Sequence, residues 1–164
     1  MKTALIGYTG FVGSNILSQF HFDDVYNSKN IQNIRNKTYD LLVNAGVAGT
    51  KWIANNNPEE DKVKIDFLKK YLRLVKVDRM VHISTFDVYP HLRGVNEDTL
   101  ISSDDRNNPY GKNRLHMEKF ICQTFSNYTI IRLPGLYCKN LKKNFIYDFI
   151  HNRKLYLTNS ENIV

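Results

Sequence analysis

The sequence predicts an α/β fold built on a doubly wound parallel sheet, and three observations carry that prediction. The apolar run Leu5-Ile6 passes through Gly7, Gly10 and Gly13 into a helix within its first turn, as an opening strand of such a sheet does. Asp40-Leu41-Leu42-Val43 reads as a strand buried on both faces that ends in the small residues Asn44-Ala45-Gly46. Met80-Val81-His82-Ile83 makes another such strand and delivers Ser84-Thr85 to its carboxyl end, the edge where open α/β sheets hold their ligands. At 164 residues the chain suits one domain with a sizeable core, and 42% apolar with 12% aromatic residues marks it as globular.

The opening turn reads as a dinucleotide cradle. A diphosphate held by backbone needs N–H groups with no Cβ in the way, and it gains from the positive end of a helix. Glycines at a strand-to-helix junction supply both, although a Gly-rich turn without a ligand shares this pattern. The spacing here is G-x-x-G-x-x-G. Together with the Thr9-Gly10 turn it resembles the extended short-chain dehydrogenase/reductase family, the nucleotide-sugar epimerases, dehydratases and reductases. The resemblance implies a Rossmann domain over residues 1–164 and a nicotinamide dinucleotide, NAD or NADP. Its pyrophosphate would lie over Thr9 to Val12, so Gly7, Thr9, Gly10, Phe11, Val12 and Gly13 are cofactor-binding candidates.

Beyond the turn, Val12, Ile16 and Phe20 recur at helical spacing and predict one apolar face on the sheet. Asp23 and Asp24 end the connection, and Val25-Tyr26-Asn27 predicts a short second strand leading to Ser28-Lys29-Asn30. An acid is expected after this strand to hold the adenosine ribose of NAD, and none stands there. Asn27, Ser28 and Lys29 suit a 2′-phosphate, while an ordinary surface turn has the same composition; NAD and NADP both stay open.

By the same resemblance, Asn44, Ala45 and Gly46 match the family's Asn-Ala-Ala or Asn-Ala-Gly segment, where small residues let the backbone approach the adenosine side of the cofactor. Trp52 follows in a predicted loop, where it suits either substrate contact or packing. Asn57-Pro58-Glu59-Glu60-Asp61 has the capping Asn, first-turn Pro and acids of a helix start. Leu68, Tyr71, Leu72 and Val75 then predict its buried face, with Lys69, Lys70, Arg73 and Lys76 on the others.

His82, inside an apolar strand, reads as a core histidine. Ser84-Thr85 ahead of Val88-Tyr89 resembles the family's catalytic Ser/Thr segment and puts Thr85 in the position that meets the substrate hydroxyl. Residues 90–108 predict a long polar loop in which Glu97 sits where relatives often carry a Glu. Asn108-Pro109 then opens a helix with Met117, Phe120, Ile121 and Thr124 on its buried side. Tyr110 and Arg114 are four residues apart and so share one face. They match the family's Tyr-x-x-x-Lys with Arg in place of Lys. Arginine keeps the charge that favours a phenolate and can reach a ribose hydroxyl, but its planar fork is not the same point charge. Lys112, two residues from Tyr110, points elsewhere.

Tyr128 to Leu133 predicts a further core strand. Arg132 to Tyr137 resembles the segment whose backbone lines the nicotinamide, which adds Pro134 and Leu136 to the cofactor candidates. A helix at 144–153 and an extended piece at 155–158 would open, from about residue 139, a substrate-side region; the resemblance implies a smaller substrate-binding part that would be truncated or absent here.

The net charge of +7 raises nucleic acid and membrane surfaces as partners, but the basic residues are dispersed, without aromatic interleaving or a nucleic-acid module. No apolar run approaches the ~20 residues of a membrane span. Neither partner is expected, and the expected location is cytoplasmic. Cys122 and Cys138 are too few and too isolated for a disulfide framework or a metal site; both should be reduced and partly buried, and no metal is expected.

The family resemblance implies reversible hydride transfer at a carbon of a nucleotide-sugar substrate, in the setting of polysaccharide biosynthesis. Tyr110 would take the proton from the sugar hydroxyl, Thr85 would hydrogen-bond the same oxygen, and Arg114 would hold the ribose and favour the phenolate. The dehydratases of the family resemble Ser-Thr-Asp-Glu where this chain has Ser84-Thr85-Phe86-Asp87, so epimerisation or ketone reduction is preferred over elimination. The alternatives are a non-catalytic NAD(P)-binding module and an inactive truncated member. A homodimer is compatible with either.

Overall fold

A computed structural model describes residues 1–91, 93–101, 108–136 and 151. The chain divides into two compact units, Met1–Pro134 and Gly135–Val164. The helix expected at 144–153, apart from residue 151, the extended piece at 155–158, Tyr137 and Cys138 lie outside the described residues.

The first unit is a five-stranded, wholly parallel sheet in the order β2-β1-β3-β4-β5. Its strands are β1 (Thr3–Ile6), β2 (Asp24–Tyr26), β3 (Thr38–Asn44), β4 (Lys76–Thr85) and β5 (Tyr128–Leu133). The helices are α1 (Phe11–Leu17), α2 (Lys51–Asn56), α3 (Pro58–Leu72) and α4 (Pro109–Thr124). In this order the chain reverses its winding between β1 and β3, and ligand crevices open at the carboxyl ends of the strands flanking such a reversal. The expected α/β, doubly wound architecture is present.

Period-2 alternation sorts the side chains of the strands between the sheet's two faces. Ala4, Ile6, Leu42 and Met80 pack with Ile65, Leu68 and Leu72 of α3 and with Met117, Phe120 and Ile121 of α4. Leu5 and Val43 face the other way, onto Phe22 and the partly buried Ile16 and Leu17. At the amino edge, Asp23 accepts from the Thr3 amide at 2.6 Å and the Thr3 hydroxyl at 2.9 Å, which ties β1 to the start of β2. His82 is fully buried, as a core histidine should be.

Several local expectations are corrected. Helix α1 ends at Leu17, so Phe20 lies beyond it, exposed and edge-on to Phe22. Asn27 lies just outside β2, in an Asx turn that accepts the Lys29 amide at 2.9 Å. Trp52 is in a helix, α2, rather than a loop, and is largely exposed. Val75 is buried but lies past the end of α3. Lys69 is buried: its Nζ lies over the Phe120 ring, 5.3 Å from the centroid, and meets Asp66 at 3.0 Å and the His116 ring at 2.7 Å. A long aliphatic stem lets a lysine cover apolar surface and keep its head among polar groups. Thr124 is exposed, and Phe125 fills the buried position after it. Strand β5 is at an edge of the described sheet rather than in its core, leaving Tyr128 and Ile131 exposed. Cys122 is exposed as well.

Candidate active site

The glycine turn is built by close backbone approach at the winding reversal. Gly7 has φ of +88°, and a Cβ there would come within 2.3 Å of the Ala45 carbonyl oxygen. A Cβ at Gly13 would lie 2.1 Å from the Gly7 carbonyl oxygen. These two glycines therefore serve packing: one lets β1 turn against the end of β3, and the other seats α1 on that turn. Gly10 differs. Its backbone is extended, with φ of −79°, and the Gly7 carbonyl oxygen at 3.3 Å is the one close neighbour a Cβ would meet.

The residues here fit a dinucleotide diphosphate. Gly10 caps α1 without any side-chain hydrogen bond, so the first-turn amides of Phe11, Val12 and Gly13 keep their donors for a ligand. Thr9 and Gly10 are exposed above them. Across the crevice, Asn44 is buried; its Oδ1 accepts the Gly46 amide at 3.0 Å, and its Nδ2 lies 3.2 Å from His82 Nδ1. Asn44 thus shapes the small-residue turn of Ala45 and Gly46 from beneath. Burial pushes the His82 imidazole down to about 4, against a smaller opposing pull from the Asn44 backbone, so the ring is neutral at pH 7. After β2, Asn27 donates to the Tyr8 hydroxyl at 3.1 Å, while Ser28 and Lys29 are exposed.

Thr85 and Tyr110 meet at the carboxyl end of β4. Strand β4 ends at Thr85, whose Oγ1 accepts the Asp87 amide at 3.2 Å and starts a short 3-10 turn over Phe86–Val88. Helix α4 begins at Pro109, capped by Asn108 Oδ1 accepting the Gly111 amide at 2.9 Å, which puts Tyr110 in its first turn. The Tyr110 amide is held by Asn55 Oδ1 of α2 at 3.0 Å. Burial raises the Tyr110 phenol above its ordinary value; Arg114 opposes this, Asp87 reinforces it, and the Thr85 hydroxyl and Lys51 oppose it.

Arg114 shares a face with Tyr110 as expected, its guanidinium carbon 4.1 Å from the ring centre. The guanidinium is buried, and it donates from Nη1 to the Asp61 carboxylate and from Nη2 to the Ala48 carbonyl. Asp61 also accepts from Asn113 Nδ2 at 2.8 Å. Pro134 ends the first unit, exposed; Leu136, half-buried, belongs to the second.

Some of the polar groups around the site were not apparent from sequence. Asp61 reads as one of three acids favouring a helix start, yet it is the partner of a buried arginine. Lys51, on α2, pairs with Asp87 at 2.6 Å. Glu118 is buried, accepts from Ser84 Oγ at 2.5 Å and takes two donors of Arg132, Nε at 3.1 Å and Nη2 at 2.8 Å. Arg132 Nη1 in turn donates to the Tyr89 hydroxyl at 2.6 Å, and Tyr89 donates to the Asn96 carbonyl at 2.8 Å. Glu118 lies four residues beyond Arg114 on α4, a spacing that could have signalled it. Glu97, nearby in the same loop, is exposed. Among the described residues there is no cluster of potential metal ligands, and no helix is long and apolar enough to cross a membrane.

Solved structures share this architecture. The dTDP-4-dehydrorhamnose reductase of Bacillus anthracis, solved with NADP, matches at a TM-score of 0.70 with 19% identity, over 92% of this chain and 59% of its own. The corresponding reductase of Yersinia enterocolitica matches at 0.73 with 14% identity, over 93% of this chain and 60% of its own. A UDP-glucuronic acid 4-epimerase of Bacillus cereus, solved with NAD, matches at 0.59 with 20% identity, over 84% and 57% respectively. This chain therefore spans under two thirds of their length. No curated protein matches it. The model of the NAD dependent epimerase/dehydratase family matches residues 18–156, most of the chain. The glycine turn precedes that match and is carried by its geometry alone; with the parallel sheet, the placement of Thr85 and Tyr110 and the matched span together, the chain belongs to the NAD dependent epimerase/dehydratase family.

Proposed function

We propose that this chain is the dinucleotide-binding part of an oxidoreductase or epimerase that acts on a sugar carbon of a nucleotide sugar. The observation that supports this best is the convergence of Thr85 and Tyr110 at the carboxyl edge of the sheet, on the side where the glycine turn would hold a cofactor. NAD or NADP would be held by the Phe11, Val12 and Gly13 amides above Gly7, Thr9 and Gly10, by Asn27, Ser28 and Lys29 at the adenosine ribose, by the turn of Asn44, Ala45 and Gly46, and by Pro134. Ser28 and Lys29, exposed after β2, would suit a ribose 2′-phosphate, and NAD and NADP both stay open. When bound, the dinucleotide supplies the hydride acceptor or donor.

The chain's own residues handle the proton. Tyr110 exchanges it with the sugar hydroxyl, acting as base when the alcohol is oxidised and as acid when the ketone is reduced. Thr85 positions the same oxygen. Burial of Tyr110 keeps the phenol protonated at neutral pH, which suits the reductive direction. Phe86 stands where a dehydratase would carry an acid, so epimerisation or ketone reduction is favoured over elimination.

A second reading, a domain that binds NAD(P) without catalysis, is favoured by the commitment of Arg114 to Asp61 and Ala48. One experiment separates the two: calorimetric titration with NAD⁺ and NADP⁺, followed by turnover assays on a panel of nucleotide sugars. Binding with turnover supports the enzyme, binding without turnover supports the module, and absence of binding by the folded chain overturns both.

A further inference from the structure

We infer that Lys51 is a positioning residue for Tyr110, offsetting through its pairing with Asp87 the carboxylate that stands beside that phenol. This rests on the reading of Tyr110 as the proton-exchanging group. Arg114 is the foremost cation acting on Tyr110, but its two terminal nitrogens are bonded to the Asp61 carboxylate and the Ala48 carbonyl, so it does not reach Asp87.

Helix α2 brings in the second cation. Lys51 and Asn55 are four residues apart and so lie on one face of that short helix. Asn55 binds the Tyr110 amide, which anchors this face against the start of α4. Lys51 Nζ reaches Asp87 Oδ1 at 2.6 Å, while Asp87 Oδ2 lies 3.3 Å from Thr85 Oγ1. Lys51 and Tyr110 are thus two ends of one constellation closed through Asp87 and Thr85.

The charged groups facing Tyr110 are Arg114 from α4, with Asp61 of α3 behind it, Asp87 from the turn after β4, and Lys51 from α2. Asp87 opposes phenolate formation, and Lys51 favours it in two ways: directly, as a cation, and by compensating Asp87. The Thr85 hydroxyl donates to Asp87 Oδ2 at 3.3 Å, and an Asp87 carboxylate without Lys51 would hold that proton more strongly.

The test is the ionisation midpoint of Tyr110 without cofactor, read as tyrosinate absorbance after a rapid pH jump, before alkaline unfolding, with Tyr110→Phe subtracted. Lys51→Met should raise the midpoint by about 0.5 pH unit or more, Lys51→Arg should restore it, and Asp87→Asn should lower it. The double variant should fall between the two single ones. A midpoint unmoved by Lys51→Met, or raised by Asp87→Asn, overturns the inference. Should Lys51→Met fail to fold by circular dichroism, Asp87→Asn decides alone: a lowered midpoint supports the pairing, and an unchanged or raised one overturns it. Turnover is assayed separately. Shifted midpoints in a chain that turns over no nucleotide sugar would sink the catalytic reading and leave this electrostatic one standing.

Discussion

Arg114 lies over the face of the Tyr110 ring, its guanidinium carbon 4.1 Å from the ring centre, with its terminal nitrogens turned to Asp61 and Ala48. The arginine thus supports the tyrosine through its ring face, by stacking and by field, and leaves the hydroxyl to Thr85 and to a substrate. If Tyr110 exchanges the proton, Tyr110→Phe keeps the stack and loses only the hydroxyl. Turnover of an accepted nucleotide sugar should fall by about 10²–10⁴-fold, with dinucleotide affinity nearly unchanged. Steady-state assays beside calorimetric titration check this, and unchanged turnover would remove Tyr110 from the mechanism.

The buried Arg114–Asp61 pair joins α4 to α3, and both partners are almost wholly out of water. Removing one partner leaves the other charge buried and uncompensated, which costs far more than the intact pair contributes. Asp61→Ala should therefore lower the unfolding free energy by about 3–5 kcal/mol in denaturant titration. Disrupting the exposed Glu60–Lys64 pair by Lys64→Ala should change it little. Comparable losses from the two variants would contradict the burial argument.

Acid should weaken the fold through His82. Its folded value is held near 4 by burial, below the ordinary 6.5, so between those limits the unfolded chain binds a proton that the native chain refuses. Stability from this residue is therefore complete above about pH 6.5 and drains away as the pH falls to about 4, a total of about 3 kcal/mol. Denaturant titrations across that range should show the decline, and His82→Gln should flatten it. A wild-type profile as flat as the variant's would rule out this linkage.

What was legible in the sequence divides along a physical line. Strands β1 and β3, the cap and first turn of α4, and the pairing of Tyr110 with Arg114 on one face follow from local periodicity and cap chemistry, which a few neighbouring residues encode. The partner of Arg114 was not legible, because Asp61 is distant in the chain and its place in a first helical turn already had a sufficient local reason. Helix α2 was missed because its apolar residues Trp52 and Ile53 point out to solvent, so no buried stripe marks it. The burial of Lys69 is not legible locally, because its charge suggests a solvated face and two of the groups that receive its ammonium, Phe120 and His116, lie on another helix. The composition of β5 reads as a core strand, and composition does not say which strands lie at an edge.

The glycine turn yields the last prediction, because its glycines answer to different forces. At Gly13 a methyl group would sit 2.1 Å from the Gly7 carbonyl oxygen, a backbone atom that cannot rotate aside. Relief requires α1 to move off the turn, so Gly13→Ala should destabilise the fold by about 1–3 kcal/mol, as overpacking does. At Gly10 the extended backbone accepts any side chain, and the one close neighbour, at 3.3 Å, needs to yield only slightly. A side chain there instead occupies the space in front of the Phe11, Val12 and Gly13 amides that a diphosphate would need. Gly10→Val should therefore fold with near wild-type stability and bind dinucleotide at least tenfold more weakly, a loss of about 1.4 kcal/mol or more. Denaturant titration and calorimetry on both variants separate the two effects. Wild-type dinucleotide affinity in Gly10→Val would show that the diphosphate does not rest on this turn, whatever Gly13→Ala does to the fold.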